Sequence, residues 1–285
     1  MASATSAGPV VVTGGAGAIG SVLTRVLSQD RPEVRVIDNL SSGRMENLGD
    51  LARHPSVRFL EADLKSPPDL VPWFRGASEV WHLAANPDIR RGIDDPRLDV
   101  EEGTLVAFQV LDAARRADVP RVLFSSSSVV YGSPTRFPTP EEYGPLLPES
   151  NYGAAKLAVE ALLSSFCHSY GMRGWIFRFA NIIGPGMTHG ILYDLMLKLQ
   201  RTPKRLEVLG DGRQAKSYLR TEDCVAGMLR ASNHSAGPVQ IYNLGNLDQI
   251  TVREIAEKVV ADLGNQAEIA YTGGPRGWTG DIPKQ

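Results

Sequence analysis

The chain has 285 residues, of which 42% are hydrophobic and 22% are charged, so it can bury a sizeable core in one large domain or in a main domain with a smaller partner. Its 30 Lys and Arg residues nearly balance its 32 Asp and Glu residues. This balance provides no basic excess for binding nucleic acid or an anionic membrane surface, so an anionic ligand must be held by local groups.

The two cysteines, Cys167 and Cys224, lie far apart and form neither a metal-type CxxC pair nor a disulfide framework. Residues 1–9 are small and polar and lack the charged and apolar regions of a secretion signal. No apolar run approaches the ~18 residues that a membrane span requires. We therefore expect a cytoplasmic protein that binds no metal, no nucleic acid and no membrane.

Short β-branched runs alternate with amphipathic stretches of helical length, a pattern typical of parallel β-α units. The predicted strands are residues 9–13, 34–38, 57–61, 79–83, 121–125 and 174–179, and the predicted helices are residues 18–29, 103–117 and 152–170. These elements predict an α/β fold with a Rossmann-type, doubly wound parallel sheet in residues 1–182. After Asn181 the segments are shorter, which predicts a smaller C-terminal substrate-binding region in residues 183–285. A strand near 239–244 is expected to return to the main sheet.

A glycine-rich loop, TGGAGAIG, connects the first predicted strand to the first predicted helix. Gly14, Gly17 and Gly20 in this loop have the spacing G-x-x-G-x-x-G. A Cβ at such positions would block the backbone from a pyrophosphate, and the helix N-terminus supplies free N–H groups and a partial positive charge. A tight turn alone would explain the glycines, but the flanking strand and helix and a later acidic residue together predict a dinucleotide site.

That acidic residue is Asp38, at the end of the second predicted strand and about 20 residues beyond the glycines. A carboxylate there bonds the ribose hydroxyls and repels a 2′-phosphate, which favours NAD over NADP, although Arg44 nearby keeps NADP open. Asp63 and Leu64 follow the third strand and are candidates for contacts with the adenine.

A serine-rich strand end, Ser125 to Ser128, precedes the segment Tyr152-Gly-Ala-Ala-Lys156 at a predicted helix start. Tyr152 and Lys156 are four residues apart and therefore share one helical face. An ammonium group near a phenol lowers a pKa that is ordinarily ~10, so the tyrosine is predicted to act as a base at neutral pH. The Ser127 hydroxyl is predicted to hold the substrate oxygen that loses its proton.

Motifs along nearly the whole chain carry a family resemblance: TGGAGAIGS, VIDNLSSG, HLAANPDIR, SSSSVVYG, YGAAK, FRFANIIGPG, VLGDGRQAKSYL and RGWTGDIP. With them the chain resembles the extended short-chain dehydrogenase/reductase superfamily, in particular its NAD-dependent sugar-nucleotide epimerases of the UDP-glucose 4-epimerase type. The resemblance implies NAD as the cofactor and a UDP-sugar as the substrate. It also implies that Tyr152 is the acid/base, that Lys156 binds the nicotinamide ribose and that Ser127 contacts the reacting hydroxyl.

The resemblance further implies two sets of binding residues. The cofactor set is Gly14, Gly17, Ala18, Ile19, Gly20, Asp38, Asn39, Ser42, Gly43, Asp63, Leu64, Leu83, Ala84, Ala85, Ser125, Tyr152, Lys156 and Phe179. The substrate set is Ser127, Ser128, Tyr152, Asn181, His189, Gly190, Ile191, Val208, Lys216, Tyr218, Arg276 and Asp281. In the substrate set Asn181 would meet a phosphate, and Lys216 stands where the family usually has a diphosphate-binding Arg. Arg276 and Asp281 would reach the diphosphate and the uridine ribose, and His189 with its two successors would line the pyrimidine pocket.

Ser128 and Val129 stand where related dehydratases carry an Asp-Glu pair, and related decarboxylases usually keep the Glu. Neither side chain here transfers protons usefully, so the sequence favours inversion at C4 of a UDP-hexose through a transient 4-keto sugar. One alternative is epimerisation of UDP-glucuronate, whose carboxylate would be accommodated by Arg90, Arg91, Thr188 or the hydroxyls around Ser127 and Ser128. The others are a net-redox dehydrogenase and a non-catalytic NAD sensor.

Three positions depart from the family pattern. The segment 99–102 lacks the Asn that usually precedes Gly-Thr, Ala18 replaces a frequent aromatic, and Ala180 follows Phe179 where a hydroxyl is sometimes present. The predicted helices 103–117 and 152–170 resemble those that pair between subunits in relatives, which implies a homodimer, with packing against the sheet as the alternative.

Overall fold

The computed structural model describes residues 8–263 and 266–277. The strands are β1 (Val10–Thr13), β2 (Val34–Asp38), β3 (Val57–Glu61), β4 (Glu79–His82), β5 (Arg121–Ser127), β6 (Arg173–Phe179), β7 (Asn181–Ile183), β8 (Arg205–Val208), β9 (Ala215–Lys216), β10 (Tyr218–Arg220), β11 (Val239–Leu244), β12 (Ile250–Thr251) and β13 (Glu268–Tyr271). The helices are α1 (Ala18–Asp30), α2 (Met45–Leu48), α3 (Val71–Phe74), α4 (Arg91–Asp94), α5 (Pro96–Asp99), α6 (Val106–Arg116), α7 (Asn151–Tyr170), α8 (Ile191–Arg201), α9 (Thr221–Ser232) and α10 (Val252–Asp262).

The central sheet confirms the predicted Rossmann-type fold. Seven strands pair in parallel in the order β11-β6-β5-β4-β1-β2-β3. From β1 the chain adds β2 and β3 on one side of the sheet and then β4 and β5 on the other side. A ligand crevice opens beyond the carboxyl ends of the strands where the strand order reverses in this way.

Apolar layers cover both faces of the sheet because side chains alternate along each strand. Val11 of β1 packs towards α6 and α7, in a cluster that includes Val110 and Leu163. Val10 and Val12 face the opposite layer, where α1 and α9 pack. The sheet is therefore buried on both faces, and its strand ends are held in fixed positions.

Residues 221–244 return to the main sheet. α9 packs its buried Cys224, Val225 and Met228 into the layer that contains α1, and β11 pairs with β6 from Val239 to Leu244. The segment after residue 182 is thus not one continuous lobe. A third apolar cluster, formed by α8, β8, α10 and β13, is the core of the smaller region.

Two elements have different bounds in the structure from those that the sequence predicts. β5 continues to Ser127, two residues beyond the predicted end, because β6 runs alongside it and pairs as far as Phe179. The helix predicted at 103–117 is regular only from Val106, and a wider helical turn spans Val100–Leu105. A Cβ at Gly103 would lie 3.2 Å from the Ala155 Cβ, so this turn packs closely on α7, and glycine disfavours a regular helix there.

Within residues 8–263 and 266–277, none of the helices combines the length and the apolar character needed to cross a lipid bilayer.

Candidate active site

A cavity of about 1170 Å³ lies at the carboxyl ends of the central strands, and ligand pockets usually measure ~300–1000 Å³. Most of the predicted site residues line it. From the cofactor set these are Gly14, Gly17, Ala18, Ile19, Asp38, Asn39, Ser42, Gly43, Asp63, Leu64, Leu83, Ala84, Ala85, Ser125, Tyr152, Lys156 and Phe179. From the substrate set they are Ser127, Ser128, Asn181, His189, Gly190, Ile191, Val208, Lys216 and Tyr218.

The remaining three predicted residues are placed differently. Gly20 lies behind the loop, where a Cβ would come within 2.1 Å of the Gly14 carbonyl oxygen, so it supports the turn and does not face the ligand. Arg276 lies outside the cavity lining and is 44% exposed, and its Nη1 atom bonds Glu149 Oε2 at 2.9 Å. One of its N–H donors is thus paired with Glu149, and its contact with a diphosphate stays a prediction. Asp281 lies outside the described residues.

The glycine loop fits a dinucleotide. Gly14 has φ +71°, and a Cβ there would lie 2.7 Å from the Ala84 backbone nitrogen. Gly17 precedes α1 as its N-cap residue and supplies no side chain that bonds the first backbone N–H groups. Since the loop and the start of α1 face the cavity, these N–H groups are placed to bind a pyrophosphate.

Asp38 is fixed at the end of β2 by two backbone donors. Its Oδ2 atom accepts the Ala16 N–H at 2.9 Å, and its Oδ1 atom accepts the Leu40 N–H at 2.9 Å. A Cβ at Gly43 would lie 2.9 Å from either carboxylate oxygen, so glycine leaves the carboxylate uncovered. Arg44 is exposed and outside the cavity lining, and the arrangement therefore favours ribose hydroxyls over a 2′-phosphate.

The predicted catalytic residues meet at the edge of the cavity. Ser127 is the last residue of β5, and its Oγ atom accepts the Val129 N–H at 3.4 Å. α7 begins beside it, capped by Ser150, whose Oγ atom accepts the Gly153 N–H at 3.1 Å. This cap places Tyr152 in the first turn of α7, with Lys156 one turn further on.

Lys156 is buried and makes its hydrogen bond with the backbone of β5. Its Nζ atom donates to the Ser125 carbonyl oxygen at 2.7 Å and lies 5.5 Å from the centre of the Tyr152 ring. Burial lowers the pKa of Lys156 to about 8, although the nearby carboxylates of Asp99 and Glu160 raise it.

The pKa of Tyr152 moves in the direction opposite to that expected from the sequence. Burial raises it well above its ordinary value, and the charge of Asp99 raises it further. The Lys156 ammonium group, which bonds the Ser125 carbonyl oxygen, does not outweigh these two effects. A phenolate at Tyr152 therefore requires positive charge close to the ring, which favours the ionised form of a phenol.

Sequence reasoning missed a buried Asp99–Asn86 pair beside these residues. Asn86 Nδ2 donates to Asp99 Oδ1 at 3.0 Å, and both residues are 1% exposed. Burial raises the pKa of Asp99, and its Oδ2 atom has no hydrogen-bond partner among the described residues. Asn86 belongs to the HLAANPDIR motif, which was the available signal for this pair.

A second missed group ties three elements together behind the site. Arg178 on β6 forms two hydrogen bonds to Glu160 on α7, at 3.0 and 2.7 Å, and Ser126 on β5 donates to the same carboxylate. The hydrogen bonds satisfy this buried ion pair, which stabilises such a pair in a protein interior. The group fixes β5 relative to α7, and therefore Ser127 relative to Lys156.

Ser128 adds no second acid or base, because its Oγ atom donates to the Phe179 carbonyl oxygen at 2.9 Å. Val129, which also lines the cavity, has no ionisable group. Among the described side chains at the end of β5 and the start of α7, the groups that line the cavity for the chemistry are the Tyr152 phenol, the Lys156 ammonium group and the Ser127 hydroxyl.

The chain is similar in sequence and in fold to known proteins. The model of the NAD dependent epimerase/dehydratase family matches residues 10–245. The UDP-glucose 4-epimerase of Mycolicibacterium smegmatis is 33% identical over 263 residues, which cover 89% of this chain and 82% of that protein. A solved UDP-galactose 4-epimerase is 39% identical with a TM-score of 0.84, and the alignment covers 97% of this chain and 88% of that chain. The UDP-glucose 4-epimerase of Thermotoga maritima, solved with UDP-glucose, is 28% identical with a TM-score of 0.86 and covers 97% and 88% of the two chains. The chain belongs to the NAD dependent epimerase/dehydratase family, and NAD is its cofactor.

Proposed function

We propose that this enzyme inverts C4 of a UDP-hexose, interconverting the UDP-glucose and UDP-galactose configurations. The observation that carries the proposal is the meeting of Ser127, Tyr152 and Lys156 in the cavity that also holds the glycine loop, without an acid at 128 or 129. One acid/base suffices for reversible oxidation at a single carbon, whereas eliminating water requires further proton donors and acceptors. The relatives at 33% and 39% identity are named as 4-epimerases of this kind.

Tyr152, Ser127 and Lys156 have separate roles in the transfer of the C4 hydroxyl proton. Tyr152 takes the proton of the C4 hydroxyl, while the Ser127 hydroxyl bonds the C4 oxygen and holds it in place. NAD, held by the glycine loop and Asp38, would supply the acceptor and donor of the C4 hydride and would be unchanged after a complete turnover. Lys156 stabilises the phenolate by its charge. After the 4-keto sugar has presented its other face, Tyr152 gives its proton back to the C4 oxygen.

The cofactor and the nucleotide are bound by different parts of the cavity. The glycine loop and Asp38 hold the pyrophosphate and the adenosine ribose of NAD. Asn181 at the start of β7 and Lys216 in β9 line the other part, where they hold the diphosphate of the UDP-sugar. Asn181 is already oriented, because its Nδ2 atom donates to the Ser217 carbonyl oxygen at 3.1 Å.

We also propose that two copies associate through α6 and α7. Four apolar side chains are exposed on these helices and on the turn that precedes α6: Val100 at 51%, Leu105 at 52%, Phe108 at 43% and Tyr170 at 54%. Exposed large apolar residues that cluster on one face are typical of protein interfaces, and two such helix pairs would bury each other. The two buried free thiols suit a reducing, cytoplasmic location.

The test is incubation of the purified protein with UDP-glucose, UDP-glucuronate and UDP-N-acetylglucosamine, followed by chromatographic separation of the products. We expect UDP-galactose from UDP-glucose, without added reductant or oxidant. The proposal fails if no C4-inverted product forms from any of the three, or if reduced cofactor accumulates in proportion to product.

A further inference from the structure

Four ionisable side chains face each other across one part of the cavity. Asp88 and Arg90 lie in the loop after β4, and His189 and Asp194 lie just before and within the first turn of α8. All four line the cavity. None of them belongs to the glycine loop or to the Ser127–Tyr152–Lys156 group.

Arg90 is bound by carboxylates on both sides. Its Nε atom lies 3.0 Å from Asp88 Oδ1, and its Nη2 atom lies 3.1 Å from Asp88 Oδ2. Its Nη1 atom lies 3.0 Å from Asp194 Oδ2. Three of the five N–H donors of this guanidinium group are therefore already directed at carboxylates of the chain.

The group carries more negative than positive charge. Hydrogen bonds from Arg90 hold the pKa of Asp88 below its ordinary value although burial opposes this, and the same contact raises the pKa of Arg90. Burial lowers the pKa of His189, which leaves the imidazole neutral near pH 7. Two carboxylates then outweigh one guanidinium.

A chain of contacts connects this group with the reacting residues. Asp88 donates its N–H to Asn86 Oδ1 at 3.1 Å, and Asn86 bonds Asp99, whose charge acts on Tyr152 and Lys156. β4, which precedes the loop, pairs with β5, which ends in Ser127. The group is thus linked through Asn86 and Asp99 to the part of the cavity that contains Tyr152 and Lys156.

We propose that Asp88, Arg90 and Asp194 exclude UDP-sugars with a C6 carboxylate and select sugars with a neutral C6 group. The inference rests on the proposed function, since it names the sugar class for the same site. A C6 carboxylate would meet two carboxylates and a guanidinium group whose positive charge these carboxylates already offset. A hydroxymethyl group carries no charge and meets no such repulsion.

The test compares UDP-glucose with UDP-glucuronate, using both kcat/KM and the dissociation constants of the NAD-loaded protein measured by calorimetry. Asp194→Asn removes one negative charge and keeps the shape, so the preference for UDP-glucose should fall on the order of tenfold in both ratios. Arg90→Gln makes the group more negative and should shift both ratios in the opposite direction.

The matched control is Asp30→Asn. Asp30 is an exposed residue at the end of α1, next to the N-terminal edge of the sheet and opposite the cavity. This variant changes the net charge equally and should leave both ratios as in the wild type.

Two results would overturn the inference: a wild-type protein that binds both sugars with equal affinity, or an Asp194→Asn protein whose ratios stay within twofold of the wild type. If the wild type converts neither sugar, the proposed function fails, and the ratio of dissociation constants still decides the inference.

Discussion

The strands on the cofactor side of the cavity lie deep in the sheet, whereas the segments on the substrate side are short and partly exposed. Val10 to Thr13 of β1 are inaccessible to solvent. On the substrate side β7, β9 and β10 contain three, two and three residues, and the Arg90–Asp194 pair is 41% and 32% exposed. The cofactor side is therefore held by the core of the main sheet, and the substrate side by a smaller apolar cluster and by polar contacts.

This difference separates the part of the site that carries out hydride transfer from the part that selects the sugar. Hydride transfer requires fixed positions, which buried parallel strands provide. Selection among sugars depends on charges and hydroxyls at the other wall, and these can change without disturbing the sheet. Substitutions on the two sides should thus have different signatures: loss of cofactor binding or stability on one, and altered substrate preference on the other.

The largest effect is expected where the two sides meet, at Tyr152. Tyr152→Phe removes the group that exchanges the C4 proton and should lower kcat roughly 10³-fold, within the range for a positioned acid/base. NAD content, measured by absorbance after denaturation, should stay as in the wild type, since the ring is retained. Turnover within a few-fold of the wild type would refute the assignment.

Gly14→Ala should damage the cofactor side through two costs. The new Cβ would occupy a left-handed residue with φ +71° and would lie 2.7 Å from backbone, so we expect at least tenfold weaker NAD binding and a loss of more than about 2 kcal/mol of unfolding free energy. Chemical denaturation and calorimetry measure the two effects.

The matched control for Gly14 is Gly171→Ala. Gly171 has φ +69° at the end of α7 with no atom near its Cβ position, so the substitution carries only the conformational cost of about 1–2 kcal/mol. Equal losses in both variants, with NAD binding intact in Gly14→Ala, would show that the loop does not approach the cofactor closely.

Lys156 should give the protein a pH-dependent stability. Its pKa is about 8 in the folded chain and 10.5 as the ordinary value, so between these values the unfolded chain binds more protons. The free energy of unfolding of the ligand-free protein should then rise with pH from 8 to 10, by up to about 3 kcal/mol. Lys156→Met should abolish this rise, which chemical denaturation at each pH would measure. An identical rise in the variant would show that the buried ammonium group of Lys156 is not its cause.

The smallest effect is expected at Arg276, which the structure places outside the cavity. Its exposed ion pair with Glu149 contributes roughly 0–1 kcal/mol. Arg276→Ala should change the unfolding free energy within that range and leave the affinity for UDP within twofold, as titration calorimetry would show. A large loss of UDP affinity would show that Arg276 binds the nucleotide.

The cofactor side was also the more predictable part of the sequence. The glycine spacing, Asp38 after the second strand, and Tyr152 and Lys156 on one helical face are local patterns, and the sheet that orders them follows from hydrophobic periodicity. These residues line one cavity. Strand ends were less certain: β5 reaches Ser127 only because β6 pairs with it.

The substrate side depends on contacts between distant segments, which spacing does not reveal. Arg90 and Asp194 are more than 100 positions apart and meet only after α8 packs near the loop that follows β4. The pKa of Tyr152 likewise follows from burial and from Asp99, neither of which the YxxxK motif encodes. Arg276 matches a family motif, but its partner Glu149 lies far away in the sequence.

The most direct test of the account is the fate of the C4 hydrogen during turnover. UDP-glucose carrying deuterium at C4 should yield UDP-galactose that retains the deuterium at C4, as measured by mass spectrometry and NMR, because the same hydride leaves and returns within one site. Loss of the deuterium to solvent, or the absence of a C4-inverted product, would contradict reversible C4 oxidation by this chain.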